Sequence, residues 1–345
     1  MAMSTRQTLE QLLQRQDLTE LEAAGLLGEL TNPELESAMA GALLAALRAK
    51  GVTPDEVRGF ATAMWARARK PSLAPALDAI DIVGTGGDAS GSLNLSTGAA
   101  LLTAACGLAV IKHGNRSISS RSGSADVLEQ FGFKLPLDED QAAACFAATG
   151  FTFLFAPYYH PAMKSLAPIR ASLGIRTVFN LLGPLTNPAS PRFRLIGAYD
   201  AATAELIADT LSGMQVDRAW VIHGADGWDE ATPIGPFLAF DVTRGHVRCC
   251  EIDPQDFGIR PCKSIDLSGG DAATNAAALR DVFEGRDVGA HRAALVLQSG
   301  LALFIADRAT SIGAGIEFAG AVLDSGRASS WLRNLQAFAT RSGNA

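Results

Sequence analysis

The stretch Asp81 to Gly98, DIVGTGGDASGSLNLSTG, places five glycines, three serines and two threonines behind a short apolar run. Glycines leave backbone N–H groups unblocked by side chains, the material of an anion-holding loop, so phosphate is the predicted ligand. Ser96-Thr97-Gly98 then opens a helix expected over Gly98–Cys106, whose N-terminal amides and dipole suit another anionic oxygen. The bland reading of the same glycines is a surface turn. A second polar loop, Lys112 to Ser124, follows the next strand and carries three cations, an imidazole, an amide and five hydroxyls. Donors of these types surround a polyanion. Taken alone it has a lesser reading as a solvated basic loop, and two donor-rich loops after consecutive strands further favour one site, because open α/β sheets bind ligands at that end.

Two better-known phosphate motifs fit poorly. Gly84-x-Gly86-x-x-Ala89 formally matches the relaxed dinucleotide fingerprint, yet Ser90-Gly91-Ser92 prolongs the loop and no acid occurs between Asp88 and Asp126 to hold a ribose. No Lys-Ser or Lys-Thr follows the glycines, so the P-loop pattern fails as well.

The elements that must position these loops divide the chain. Capping signals at Thr19-Glu20-Leu21-Glu22, Asn32-Pro33 and Thr53-Pro54-Asp55-Glu56 predict three helices in the first seventy or so residues, with apolar stripes at Leu35, Met39, Leu43, Leu47 and at Val57, Phe60, Ala61, Met64. Pro71 to Pro75 reads as the exit linker. Beyond it, strand candidates Ala79–Val83, Leu108–Ile111, Thr152–Phe155, Arg194–Tyr199 and Ala219–His223 alternate with helical patterns, and Phe237–Val242 with His246–Ile252 suggest a hairpin. Helices Arg292–Ala306 and Ile312–Asp324 are expected to cover the sheet. The fold class is therefore α/β: a small helical domain, 1–72, and a larger domain, 73–345, with a mostly parallel central sheet flanked by helices.

Composition narrows the class. With 345 residues, 48% hydrophobic and 19% charged, the chain is a folded globular protein. A net charge of -7 argues against nucleic acid as a partner, so any phosphate site is local. Five cysteines without metal-ligand or disulfide spacing point to a reducing cytoplasm. The uncharged run Ala89 to Ile111 is broken by glycines and Asn94, so no membrane span is expected, and no secretory signal is apparent.

In combination, GTGGD, NLST, KHGNRSISS with GSADVLE, FAPYYHPAMK (Phe155 to Lys164), Ala167-Pro168-Ile169-Arg170, RTVFNLLGPLTNP (Arg176 to Pro188) and the Asp229-Glu230 pair resemble the anthranilate phosphoribosyltransferase family from about Leu9 to Phe338. The resemblance implies transfer of a phosphoribosyl group from 5-phosphoribosyl 1-diphosphate to anthranilate, with diphosphate released, in tryptophan biosynthesis. It implies donor binding by Gly84, Gly87 and Asp88, by Ser92 and the run Asn94, Leu95, Ser96 and Thr97, and by Lys112, His113, Gly114, Asn115, Arg116, Ser117, Ile118, Ser119, Ser120 and Ser124. It places anthranilate at Gly84, Asn115, His160, Arg170 and Gly183, and magnesium, two ions per subunit, at Ser96, Asp229 and Glu230. No catalytic group is firmly assigned; His113 and His160 are candidates for the amine proton, and each reads equally as a residue that only packs or orients. That part of 163–190 joins the helical domain is an expectation resting on this resemblance and not on the helix and strand patterns. A homodimer formed through the helical modules is expected.

The chemistry asks for these types. Departure of diphosphate builds negative charge that magnesium and amides stabilise, and magnesium prefers a few carboxylates plus substrate oxygens and water. An Asp-Glu pair is otherwise ordinary solvated surface. Arg170 could fork onto the anthranilate carboxylate, or be only a surface arginine. The nearest enzymatic rival is a pyrimidine nucleoside phosphorylase, which KHGNR and RTVFNLLGPL disfavour; a non-catalytic nucleic-acid-binding relative is opposed by the charge and the acidic pair. Trp228 stands where many family members have a smaller aliphatic residue, which leaves the packing of that loop open, and no glutamine-amidotransferase segment is expected.

Overall fold

The computed structural model describes residues 4–74, 78–88, 90–117 and 121–342. Four helices come first: α1 (Thr5–Leu13), α2 (Glu20–Leu30), α3 (Ser37–Lys50) and α4 (Pro54–Ala66). Thr19 and Thr53 form the expected capping boxes with Glu22 and Glu56. Two expectations are corrected. A further helix, α1, begins at a Ser4–Gln7 capping box. Asn32 does not cap α3: its Oδ1 accepts the Glu34 amide within a turn, and the helix starts at Ser37, leaving Leu35 outside.

The α/β part follows as β1 (Ala79–Gly84), α5 (Leu95–Ala105), β2 (Ala109–Gly114), α6 (Ser124–Gln130), α7 (Glu139–Thr149), β3 (Phe151–Phe155), α8 (Ala156–Tyr159), α9 (Ala167–Leu173), α10 (Phe179–Leu182), β4 (Phe193–Gly197), α11 (Ala201–Ser212), β5 (Arg218–His223), β6 (Phe237–Thr243) and β7 (His246–Ile252). Four helices close the chain: α12 (Ala272–Phe283), α13 (Ala290–Ile305), α14 (Ile312–Asp324) and α15 (Arg327–Ser342). The seven strands form one sheet in the order β3-β2-β1-β4-β5-β6-β7, parallel from β3 to β5 and antiparallel through the β6–β7 hairpin.

Strand periodicity sorts the core. Leu195, Trp220, Ile222 and Ala239 join the large cluster built with α5, α12 and α13, whereas Ile196, Ala219, Val221 and Phe240 join the cluster of α2, α3, α4 and α11. Leu166, Val178, Phe179 and Leu182 enter that second cluster, so the α9–α10 segment packs with the N-terminal helices. Strand β1 has β2 on one side and β4 on the other. In an open sheet that reversal of strand order leaves a crevice at the carboxyl ends of the strands.

Candidate active site

Both polar loops leave the sheet beside that crevice, after β1 and β2. Helix α5 begins at Leu95, earlier than Gly98. The correction has a packing cause: a Cβ on Gly98 would lie 2.5 Å from Leu279 and 2.9 Å from Leu295, so this glycine sits inside a close helix contact with α12 and α13. The loop amides and the N-terminus of α5 face carboxyl groups already within the chain. Asp229 Oδ2 accepts the Gly86 amide at 2.6 Å, and Glu230 Oε1 accepts the Ser96 amide at 2.8 Å. The acidic pair arrives on the loop after β5, over the paired residues Gly84 and Gly197. A Cβ on Gly84 would collide with Asp229 Oδ2 and one on Gly197 would overlap the Asp229 carbonyl, so both positions need glycine for close approach. Trp228 is buried in the main core and anchors this loop from below.

The pair is a high-energy arrangement for carboxylates. Burial first, then repulsion from Asp88, raises Asp229; burial first, then Asp229, raises Glu230. Glu230 Oε2 is buried without a partner among the described residues. Lys112, itself buried, donates from Nζ to the Ile82 carbonyl and lies 3.5 Å from Ser96 Oγ, beneath the same corner. An orphaned carboxylate oxygen beside a serine hydroxyl and a second carboxylate fits a magnesium ion that keeps substrate and water oxygens. No group of three or more His, Cys, Asp or Glu side chains able to hold a metal occurs among the described residues.

The remaining donor residues divide by what their side chains already do. Asn94 Nδ2 donates to the Ser122 carbonyl while its Oδ1 accepts Asn275 Nδ2 at 2.7 Å. Leu95 and Thr97 are buried, and Ser92 bridges to Ser268. Asp88 accepts the Ser90 amide. Arg116 forms ion pairs with Asp126 and Glu129 of α6, so its guanidinium is turned away to carboxylates of its own chain. Ser117 donates its amide to Asp126, and Ser124 Oγ donates to the Asn115 carbonyl, 3.2 Å away. Gly114 is required by contact, since a Cβ would strike Ser124 Oγ and the Phe153 ring. Asn115 is exposed at the loop's start. Ile118, Ser119 and Ser120 lie outside the described residues.

Of the residues expected to face anthranilate or take its proton, His113 and His160 meet edge to face with ring centroids 5.1 Å apart. Burial lowers both, His113 to about 4 and His160 to about 3, so each is neutral near pH 7. His113 Nδ1 lies 3.1 Å from the Gly183 carbonyl, which fixes that nitrogen as the donor and leaves the lone pair on Nε2, buried and without a partner among the described residues. A Cβ on Gly183 would meet nothing within 4 Å, so this glycine faces open space. Arg170 on α9 has its guanidinium carbon 5.4 Å from the Phe179 ring centroid and pairs with no carboxylate among the described residues; burial lowers its pKa.

Arg176 lies within the motif RTVFNLLGPLTNP, where its type and spacing alone suggest no role. Its Nη2 donates to the Gly87 carbonyl and its guanidinium carbon stands 3.7 Å from the Tyr199 ring centroid. Asn275 on α12 and Asn187, which donates to buried Asp81, carry no local signal because their partners lie far away in sequence.

Comparisons with known proteins identify the family of the chain. Residues 76–329 match a family described as "Glycosyl transferase family, a/b domain", and residues 6–68 its helical bundle domain. An anthranilate phosphoribosyltransferase of Desulforudis audaxviator is 46% identical over 97% of this chain and 96% of its own. One from Bradyrhizobium sp. strain ORS 278 is 43% identical over 92% of this chain and 94% of its own. The crystal structure of the Thermus thermophilus anthranilate phosphoribosyltransferase superposes with a TM-score of 0.89 at 38% identity, covering 96% of this chain and 99% of that one. The Saccharomyces cerevisiae enzyme in complex with PRPP and Mg shares the fold, with a TM-score of 0.86 at 23% identity over 98% of each chain. On these grounds the chain belongs to the anthranilate phosphoribosyltransferase family.

Proposed function

We propose that the residues at this crevice divide the family's reaction, transfer of a phosphoribosyl group from 5-phosphoribosyl 1-diphosphate to anthranilate, into three tasks. The observation that carries the proposal is the meeting of Asp229 and Glu230 with the amides of Gly86 and Ser96. In the reaction the C1–O bond to diphosphate breaks, a C1–N bond to the anthranilate amine forms, and the nitrogen then sheds one proton.

The first task is holding the leaving group. The loop Gly84 to Asp88, with Ser92 and Asn94 to Thr97, offers backbone donors to the diphosphate. Strand β2 runs on to Gly114, so Lys112, His113 and Gly114 belong to the strand end rather than to the expected loop; they and the loop residues Asn115, Arg116 and Ser117, with Ser124, line the phosphoribosyl side, and Ile118, Ser119 and Ser120 are assigned to it from the motif alone. Arg116 contributes backbone rather than charge, given its ion pairs. Ser96, Asp229 and Glu230 hold magnesium, at two ions per subunit. Magnesium neutralises charge on the departing diphosphate. When the carboxylates turn to the metal, the Gly86 and Ser96 amides become free to donate to phosphate oxygens.

The second task is orienting the acceptor. Arg170 forks onto the anthranilate carboxylate, Asn115 stands at the junction of the two substrates, and Gly183 leaves room for the ring. The third is the proton. An N-alkylated aniline nitrogen is acidic once charged, so a weak base suffices; His113 Nε2 or the neighbouring His160 receives it.

We further place the domain division at 1–72 with part of 163–190, and 73–345. The helical modules form the homodimer contact, where Leu13 and Leu21 stand 62% and 83% exposed. A reducing cytoplasm suits the five free thiols, and no helix among the described residues is long and apolar enough to cross a membrane. The test is loss of anthranilate fluorescence on adding donor, with magnesium and then with excess chelator. Magnesium-dependent loss with stoichiometric diphosphate supports the reading; no loss from folded protein overturns it.

A further inference from the structure

Arg176 stands in the connection between α9, which carries Arg170, and α10. Gly174 ends α9 in the left-handed conformation at φ 61° and sends the chain back toward the sheet. From there the guanidinium lies over the Tyr199 ring just beyond the end of β4, with Nη2 donating to the Gly87 carbonyl. No carboxylate among the described residues pairs with it. Gly87 is held at φ 80°, and a Cβ there would lie 2.8 Å from Arg176 Nη2, so the loop is shaped to admit this guanidinium.

A trans peptide points its carbonyl and its N–H in opposite directions. Holding the Gly87 carbonyl therefore fixes the Asp88 amide on the far side of the same peptide. The planar fork suits this task, because one edge can bond while the face stacks on Tyr199; a lysine ammonium has no such face and fork.

We propose that Arg176 is a positioning residue for the donor's diphosphate: it fixes the Gly87–Asp88 peptide so that the Asp88 amide serves the phosphate, and it ties that loop to the segment bearing Arg170. The inference rests on the functional reading above. It makes donor-loop occupancy and acceptor binding linked quantities, because one guanidinium joins the two segments.

The experiment uses the full chain with magnesium and inorganic diphosphate as the donor-site probe. Calorimetry gives diphosphate affinity, and anthranilate fluorescence gives acceptor affinity with and without diphosphate, for wild type, Arg176→Ala, Arg176→Lys and Tyr199→Leu. Arg176→Ala is expected to weaken diphosphate binding about 10- to 100-fold, as for loss of a charge-assisted hydrogen bond, and to abolish any effect of diphosphate on anthranilate affinity. Arg176→Lys should keep the wild-type melting temperature without regaining affinity, and Tyr199→Leu should fall between. Wild-type affinities in a folded Arg176→Ala protein, or full rescue by lysine, would overturn the inference alone. Absence of diphosphate binding by the wild type would overturn the functional reading and this inference with it.

Discussion

Glu230 caps helix α5: its Oε1 accepts the Ser96 amide at 2.8 Å, while its Oε2 is buried without a partner among the described residues. One oxygen thus occupies an amide that a phosphate would want, and the other waits for a cation. Replacing Asp229 and Glu230 by Asn and Gln keeps shape and removes charge. The double variant should lose magnesium-dependent turnover about 100-fold or more while remaining folded. Unchanged activity with unchanged metal dependence in steady-state assays would refute the metal assignment.

The same pair predicts proton release. Both carboxyls are raised by burial and by neighbouring acids, and a metal needs them ionised. Magnesium added alone should therefore bind more tightly as pH rises through neutrality and expel carboxyl protons as it does. Calorimetry in two buffers of different ionisation enthalpy reads this directly; identical heats would count against carboxylate ligation.

If Arg170 forks onto the anthranilate carboxylate as proposed, Arg170→Ala should raise the KM for anthranilate about 10- to 100-fold, with a much smaller change in the donor KM. Lysine should rescue poorly. Equal loss for both substrates would remove Arg170 from the acceptor site.

Gly183 faces open space, so its lack of a side chain answers to something other than the fold. Gly183→Val should shift stability by only about 0.5 kcal/mol yet raise the anthranilate KM several-fold. A large drop in melting temperature with normal kinetics would reverse that reading.

His113 and His160 set an acid limit on stability. Their folded values, about 4 and about 3, lie below the ordinary 6.5, so the unfolded chain takes up protons first. Their contribution is complete above about pH 6.5 and is lost as pH falls toward 4, at most about 3 kcal/mol for His113. Urea midpoints should fall across that window, and His113→Asn should flatten the fall. A slope unchanged by that substitution would assign it to other groups.

Much of this is legible in the chain because the signals are local. Strand alternation and the change of period after Pro71 point to the sheet, and the capping boxes at Thr19 and Thr53 mark two helix starts. The Asn32-Pro33 signal misleads because an Asx turn uses the same residues as a helix cap. Gly98 misleads because glycine also serves close helix packing. The motifs single out two polar loops that the structure brings to one crevice, but not that Arg116 is engaged by Asp126 and Glu129, nor that Arg176 reaches Gly87. Those partnerships depend on where distant segments meet, which spacing along the chain does not encode.

Asn94 is shared between the Ser122 carbonyl and Asn275, and Asn275 in turn receives the Gly270 amide. The two polar loops are thereby moored to a helix that begins at Ala272, far along the chain from either of them. Asn275 therefore braces both loops from a distant helix, through Asn94, without itself belonging to either loop. Engineers trimming or grafting the C-terminal helices would find the catalytic crevice silenced from its far bank.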